Sequence, residues 1–201
     1  MKKPYLGRLE PDFLARWDRW YPNTPPVGFL LRGAYPDLWL RIHAMPIGKR
    51  VPTSGWDYAE LLRRFNVVAE DILGDSSPCA LVLIHECGCL WSDELQNAGV
   101  VTDSLSDLGA LPRQLWDEND GVFAVPMCMN GAATTWRRGL FDWFFVAATQ
   151  GRLKGLLVEQ NRGTVFAPYD GGADLILASS LEREQAMERY RPWISARADG
   201  L

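Results

Sequence analysis

Apolar positions recur along this chain in two periods. Between Pro11 and Pro22, Phe13, Leu14, Trp17 and Trp20 or Tyr21 fall on one stripe at helical spacing. A turn of 3.6 residues brings such positions to one face, so residues 9–21 read as a helix. A longer helix is predicted over residues 57–73, where Leu61, Leu62, Phe65, Val68, Ala69 and Ile72 recur at three and four. Thr53 or Ser54 supplies its cap and Gly74 its stop. Between the two, residues 38–44 alternate with period two. Leu38, Leu40, Ile42 and Ala44 share one face, and Trp39, Arg41 and His43 the other. That pattern predicts a half-buried strand with a polar outer face.

Residues 80–84 are apolar throughout and predict a central strand. A further strand starts at residues 122–125 and runs past Pro126 towards Met129, with Pro126 pointing to an edge or a bulge. Residues 91–119 are less regular, with a short helix near residues 112–117. Residues 139–150 form a mostly buried helix closed by Gly151. Residues 155–159 and 164–167 flank Asn161-Arg162-Gly163 and predict a hairpin. A last strand over residues 174–178 precedes a charged surface helix over 180–195, with Ser180 as its N-cap. Hairpins stand beside helices with no regular βαβ repeat. The expected fold is therefore α+β: one domain over residues 1–201, with a mainly antiparallel sheet of five or six strands and helices packed on it.

Composition narrows the class. The 201 residues are 47% apolar and 11% aromatic, enough for a sizeable core, which excludes disorder, collagen or coiled coil as whole-chain answers. A net charge of −4 argues against a general nucleic-acid binder and against a polybasic membrane anchor. No apolar run approaches the roughly 18 residues of a membrane span. The first residues lack an apolar signal-peptide core. Four cysteines are sparse for a secreted disulfide scaffold, so a reduced, cytoplasmic setting is expected.

Three polar clusters are candidates for chemistry. In the first, Arg41 and His43 project from one strand face, and Lys49 and Arg50 follow a Pro/Gly turn. Cationic groups converging there suit a carboxylate or phosphate, with His43 as an acid or base. The plainer reading is a wet strand face and a solvated turn. In the second, Tyr169, Asp170 and Asp174 surround the Gly171-Gly172 pair, whose freedom of φ lets both carboxylates face one point. They could hold a metal or pair with the cationic loop, but two carboxylates are too few for a dedicated metal cage. The plainer reading is a strand-joining turn. The third, His85-Glu86-Cys87-Gly88-Cys89, holds zinc-ligand types at a spacing unlike the common knuckle, so half-exposed or buried thiols are the default. No nucleophile elbow, phosphate loop or His-Glu-x-x-His motif is present. Trp17, Trp20, Trp143 and Phe144 read as core, whereas Trp39, Trp56 and Trp193 are candidates for an interface.

Several stretches together resemble a widespread family of small bacterial proteins of unknown function. They are Pro25–Leu31, Trp39–Pro46 with Lys49-Arg50, Tyr58, Leu61 and Asn66, Ala167–Asp174, and Tyr190–Ser195 with Asp199-Gly200. The resemblance implies one domain over nearly the whole chain and no established activity.

Two functions are expected from these features. The first is a non-catalytic protein that binds a protein partner, most concretely an immunity-type protein occluding a bacterial toxin, with no cofactor and no metal. It places Arg41 or Lys49 against Asp170 or Asp174 in a salt-bridge network. The alternative is an enzyme or ligand binder for a small phosphate-containing substrate. Arg41, Lys49, Arg50 and Tyr169 would then hold the ligand, with His43, Asp170 and Asp174 as catalytic groups, around a pocket between residues 38–44 and the 168–174 turn. Neither involves nucleic acid or a membrane, and neither implies an oligomeric state.

Overall fold

Residues 80–84 are apolar at every position because their strand is covered on both faces. In the computed structural model, residues 4–46, 49–89, 93–100, 104–115 and 124–195 are described. Among the described residues, six helices, α1 (Phe13–Trp20), α2 (Gly28–Ala34), α3 (Gly55–Leu73), α4 (Asp93–Ala98), α5 (Asp142–Thr149) and α6 (Ser180–Arg189), accompany seven strands. The strands are β1 (Trp39–His43), β2 (Pro78–Glu86), β3 (Ser106–Ala110), β4 (Met127–Thr135), β5 (Lys154–Glu159), β6 (Val165–Tyr169) and β7 (Gly172–Ile176). They form one antiparallel sheet in the order β1-β7-β6-β5-β2-β4-β3, so the sheet has seven strands rather than five or six.

Alternation divides β1, β2, β5, β6 and β7 between two cores. Leu40, Ile42, Leu81, Leu83, Leu157, Phe166 and Leu175 face α3 and α5, where Phe65, Phe144 and Phe145 are fully buried. Trp39, Val82, Leu156, Val158, Val165 and Ile176 face α1 and α2, against Phe13, Trp17 and Leu31. The result is three layers, with the sheet in the middle. Burying both faces of β2 stabilises the fold by about 1.5–3 kcal/mol for each large aliphatic side chain.

Local chemistry sets the ends of α3. The Ser54 hydroxyl accepts the Asp57 N–H at 3.2 Å, and the Asp57 carboxylate accepts the Ser54 N–H at 2.8 Å, a reciprocal capping box. Ser179, not Ser180, caps α6 by accepting the Glu182 N–H. That helix ends at Arg189, and a short 3-10 turn, Arg191–Trp193, replaces the rest of the predicted stretch.

Other differences have physical causes. The strand expected to begin at residue 122 is β4, which starts after Pro126 and runs to Thr135 as an interior strand. Pro126 precedes it, and its carbonyl accepts the Cys87 N–H, so neither an edge nor a bulge is needed there. Val122 and Phe123 lie outside the described residues, as do Trp116 and Asp117 of the predicted short helix; residues 113–115 form a 3-10 turn. The face of β1 holding Trp39, Arg41 and His43 is not a wet outer face. Trp39 is buried, and Arg41 and His43 are half-buried on the α2 side. β1 is one of the two edge strands, and the Arg183 guanidinium covers its outer side by donating to the Trp39 carbonyl at 2.7 Å.

Candidate functional site

Register brings the two polar clusters together. Arg41 of β1 lies opposite Asp174 of β7, which lies opposite Ala167 of β6. Arg41 donates from Nε and Nη2 to the two Asp174 carboxylate oxygens at 2.8 and 3.0 Å. The Trp39 indole N–H donates to the same carboxylate at 2.9 Å. The guanidinium also sits 4.6 Å from the centroid of the Tyr169 ring and 5.4 Å from that of Trp39. Burial alone would lower the Arg41 pKa; the hydrogen bond and charge of Asp174 outweigh it and raise it. Burial pushes the Tyr169 phenol well above its ordinary range. The Arg41–Asp174 pair is thus held by two hydrogen bonds, an indole donor and two ring faces.

The remaining predicted residues separate. Arg50 meets Asp170 at 2.9 Å, but both side chains are more than half exposed. Lys49 turns away to Asp57 at 2.6 Å and to the Thr53 hydroxyl at 2.9 Å. The Lys49 ammonium, with the Thr53 and Ser54 groups, holds the Asp57 carboxyl well below the usual carboxylate range. The salt-bridge network therefore exists in part: Arg41 meets Asp174, while Lys49 serves the start of α3. Burial, then the charges of Arg41 and Arg64, lower the His43 pKa, and its carbonyl accepts from Arg64 Nη1 at 3.2 Å. Ile47 and Gly48, the turn between the two halves of the cationic motif, lie outside the described residues.

The sheet opens beside this cluster. β5 and β6 share only two residue pairs, Leu157 with Phe166 and Val158 with Val165. Beyond them, Lys154, Gly155 and Leu156 stay with β2, while Ala167, Pro168 and Tyr169 stay with β7. The cause is legible in backbone chemistry. Glu159 donates its N–H to the Thr164 carbonyl, so period two turns the polar groups of Thr164, Phe166 and Pro168 towards β5. Pro168 has no N–H to give there. A cleft of about 820 Å³ occupies the resulting fork. Arg41, Tyr169, Asp170 and Asp174 lie along one bank, and Lys154, Arg152 and Glu86 along the other. His43, Lys49 and Arg50 do not line it. The volume falls within the range of small-ligand sites.

The third cluster is structural. Cys87 and Cys128 form a disulfide, which corrects the expectation of free thiols, and only Cys79 and Cys89 are free. The bond forms because β2 and β4 pair His85 with Cys128, which leaves Cys87 just beyond the strand end and close by. The His85 ring meets the Asn130 side-chain oxygen at 2.7 Å. Burial, then the Glu159 charge, pushes the Cys79 thiol up to about 12. No group of three or more His, Cys, Asp or Glu side chains suited to a metal occurs among the described residues. Of the three tryptophans expected at an interface, Trp56 is exposed, Trp39 is buried, and Trp193 is half-buried with Arg63 and Arg64 over its ring.

Sequence reasoning missed Lys154, Gly155, Phe29 and Met127 as cleft residues. The one signal was Pro168, a proline inside an otherwise apolar strand, which marks where a ladder must stop.

Fold and site together define a three-layer α+β fold with a cleft at a fork of its sheet. The chain belongs to the family described as Domain of unknown function (DUF3885), whose model matches residues 27–198. The match begins just before α2 and leaves α1 ahead of it. No curated protein and no solved structure matches the chain. No helix among the described residues is long and apolar enough to cross a membrane.

Proposed function

We propose that this chain is a non-catalytic protein that binds a protein partner, with neutralisation of a bacterial toxin as its concrete form. One observation carries the reading: the charged groups an enzyme would need are engaged with one another. Arg41 is held by Asp174, Lys49 by Asp57 and Arg50 by Asp170. An arginine locked in a two-point ion pair is a poor ligand clamp, because releasing it leaves Asp174 buried without a partner. The motifs are then architecture, and recognition belongs to the surface they shape. Affinity capture of the tagged chain from its own host, read by mass spectrometry, tests the reading. One stoichiometric partner whose toxicity is suppressed by co-expression of this chain supports it. Recovery of the chain alone in every growth phase counts against it.

A second reading, a binder of a small phosphate-containing ligand, is favoured by the cleft itself, since Arg41, Tyr169, Asp170 and Asp174 line it. Calorimetric titration with AMP and with inorganic phosphate tests that reading. Binding that disappears in an Arg41→Met variant that keeps its folded circular-dichroism spectrum supports it, and silence with both compounds removes it.

A further inference from the structure

The fork between β5 and β6 has the features of a slot for an added strand. Gln160 donates its N–H to Pro78 on the β2 side, and Glu159 donates to Thr164 on the β6 side. By period two, Gly155 therefore turns its N–H and C=O towards the fork, and Pro168 turns its C=O towards it from the other bank. The β5–β6 ladder ends before reaching either. Main-chain donors and acceptors left outside a ladder are what an incoming extended segment satisfies in β-augmentation.

The cleft also crosses the plane of the sheet. Its lining includes Phe29 and Met127 from the α2 side, and Leu83, Ala148 and Leu153 from the α3/α5 side. An extended chain sends alternate side chains to opposite faces, so apolar lining on both faces matches a strand in the slot. Gly155 suits this position because a Cβ there would come within 2.2 Å of the Val82 carbonyl oxygen, so only glycine lets β5 lie this close to β2.

Charge selects the occupant. On the β6 bank, Arg41 is neutralised by Asp174, and Asp170 by Arg50 from outside the cleft. On the β5 bank, Glu86 accepts from the Cys89 thiol at 3.5 Å, while Lys154 is exposed and has no ion-pair partner among the described residues. We propose that an extended segment of a partner protein, apolar at alternate positions and carrying an acidic side chain, docks in the fork. It hydrogen-bonds to Gly155 and Pro168 and pairs its carboxylate with Lys154. This rests on the protein-binding reading above and specifies how the partner is held.

The test is a selection of random linear peptides, about seven residues long so that each can span a strand, on the immobilised full chain. Fluorescence anisotropy then measures the enriched sequences. Two variants sit at exposed positions and spare the core: Lys154→Glu, and Val125→Trp at the mouth of the cleft. The expected result is enrichment of peptides with alternating apolar positions and an acidic residue. Their affinity should fall about tenfold or more in each variant, and Lys154→Glu should shift the selection towards basic peptides. No enrichment, or peptides indifferent to both variants, overturns the proposal. So does a cleft that binds AMP or inorganic phosphate and no peptide. A host partner that both variants still capture at full strength also overturns it, and leaves the protein-binding reading intact.

Discussion

Asp174 offers both of its carboxylate oxygens to Arg41 and one of them again to Trp39, 135 positions away along the chain. One buried anion thus ties β7 to β1 at two side chains on the same face. Removing it strands a guanidinium that is only 12% exposed.

Asp174→Ala is therefore expected to cost about 3–5 kcal/mol, the range for breaking a buried ion pair from one side. Urea unfolding of the variant measures it. An unchanged midpoint would show that Arg41 finds water or another acceptor at no cost.

Asp170→Ala is expected to behave differently, although its motif is the same. Its partner Arg50 is 69% exposed, so the loss should stay within about 1 kcal/mol. The contrast between the two aspartates, measured side by side, separates the buried pair from the solvated one.

Acidification should act through His43. Burial and the charges of Arg41 and Arg64 lower its pKa, so the folded chain prefers the neutral ring. The unfolded chain takes up its proton near about pH 6.5. The contribution is complete above that value and is lost as the pH falls below it towards the folded pKa. Stability measured from about pH 7.5 down to about pH 5.5 should decline, and His43→Gln should flatten that slope. Parallel curves for the two proteins would exclude the ring as the cause.

Glu60 adds a second acid limb at lower pH. Hydrogen bonds from Arg63, then Arg64, hold its pKa at about 2 against burial. Its contribution is present above the ordinary carboxylate range and is lost as the pH falls towards about 2. Glu60→Gln should remove part of the acid sensitivity below about pH 4.3, and leave the His43 limb unchanged.

Thiol titration of the oxidised protein should find one reactive group while folded and two after unfolding, Cys89 and then Cys79. Reduction of the Cys87–Cys128 bond, which spans 41 positions, should lower stability by about 2–4 kcal/mol. Four thiols after unfolding without reductant would show that the bond does not form.

Much of the architecture was legible because it follows local period. The α3 stripe, the β5–β6 hairpin and the β1 alternation all rest on side chains a few residues apart. β4 was only partly legible because Asn130, Gly131, Ala132 and Ala133 carry little apolar contrast; its burial comes from β2 and β3 on either side. α2 was missed for a related reason. Its seven residues are too few for a clear stripe, and Leu31 alone is fully covered. At the site, the meeting of the Arg41 and Asp174 motifs was anticipated as one option. Their exact partners were not, because register decides them: Lys49 found Asp57 eight residues on, and Asp170 found Arg50. The fork depended on where a ladder between two strands stops, which only Pro168 announced.

The order of strands also sets a schedule. β1 has one neighbour in the sheet, β7, which follows it by about 130 residues. At roughly 5–20 residues per second, the ribosome delivers that neighbour on the order of ten seconds after β1. Throughout synthesis of the intervening chain, the strand bearing Trp39 and Arg41 has no sheet to join. The domain completes only when its last strand leaves the tunnel, so truncation shortly before Gly172 would leave the nascent protein with an open, adhesive edge.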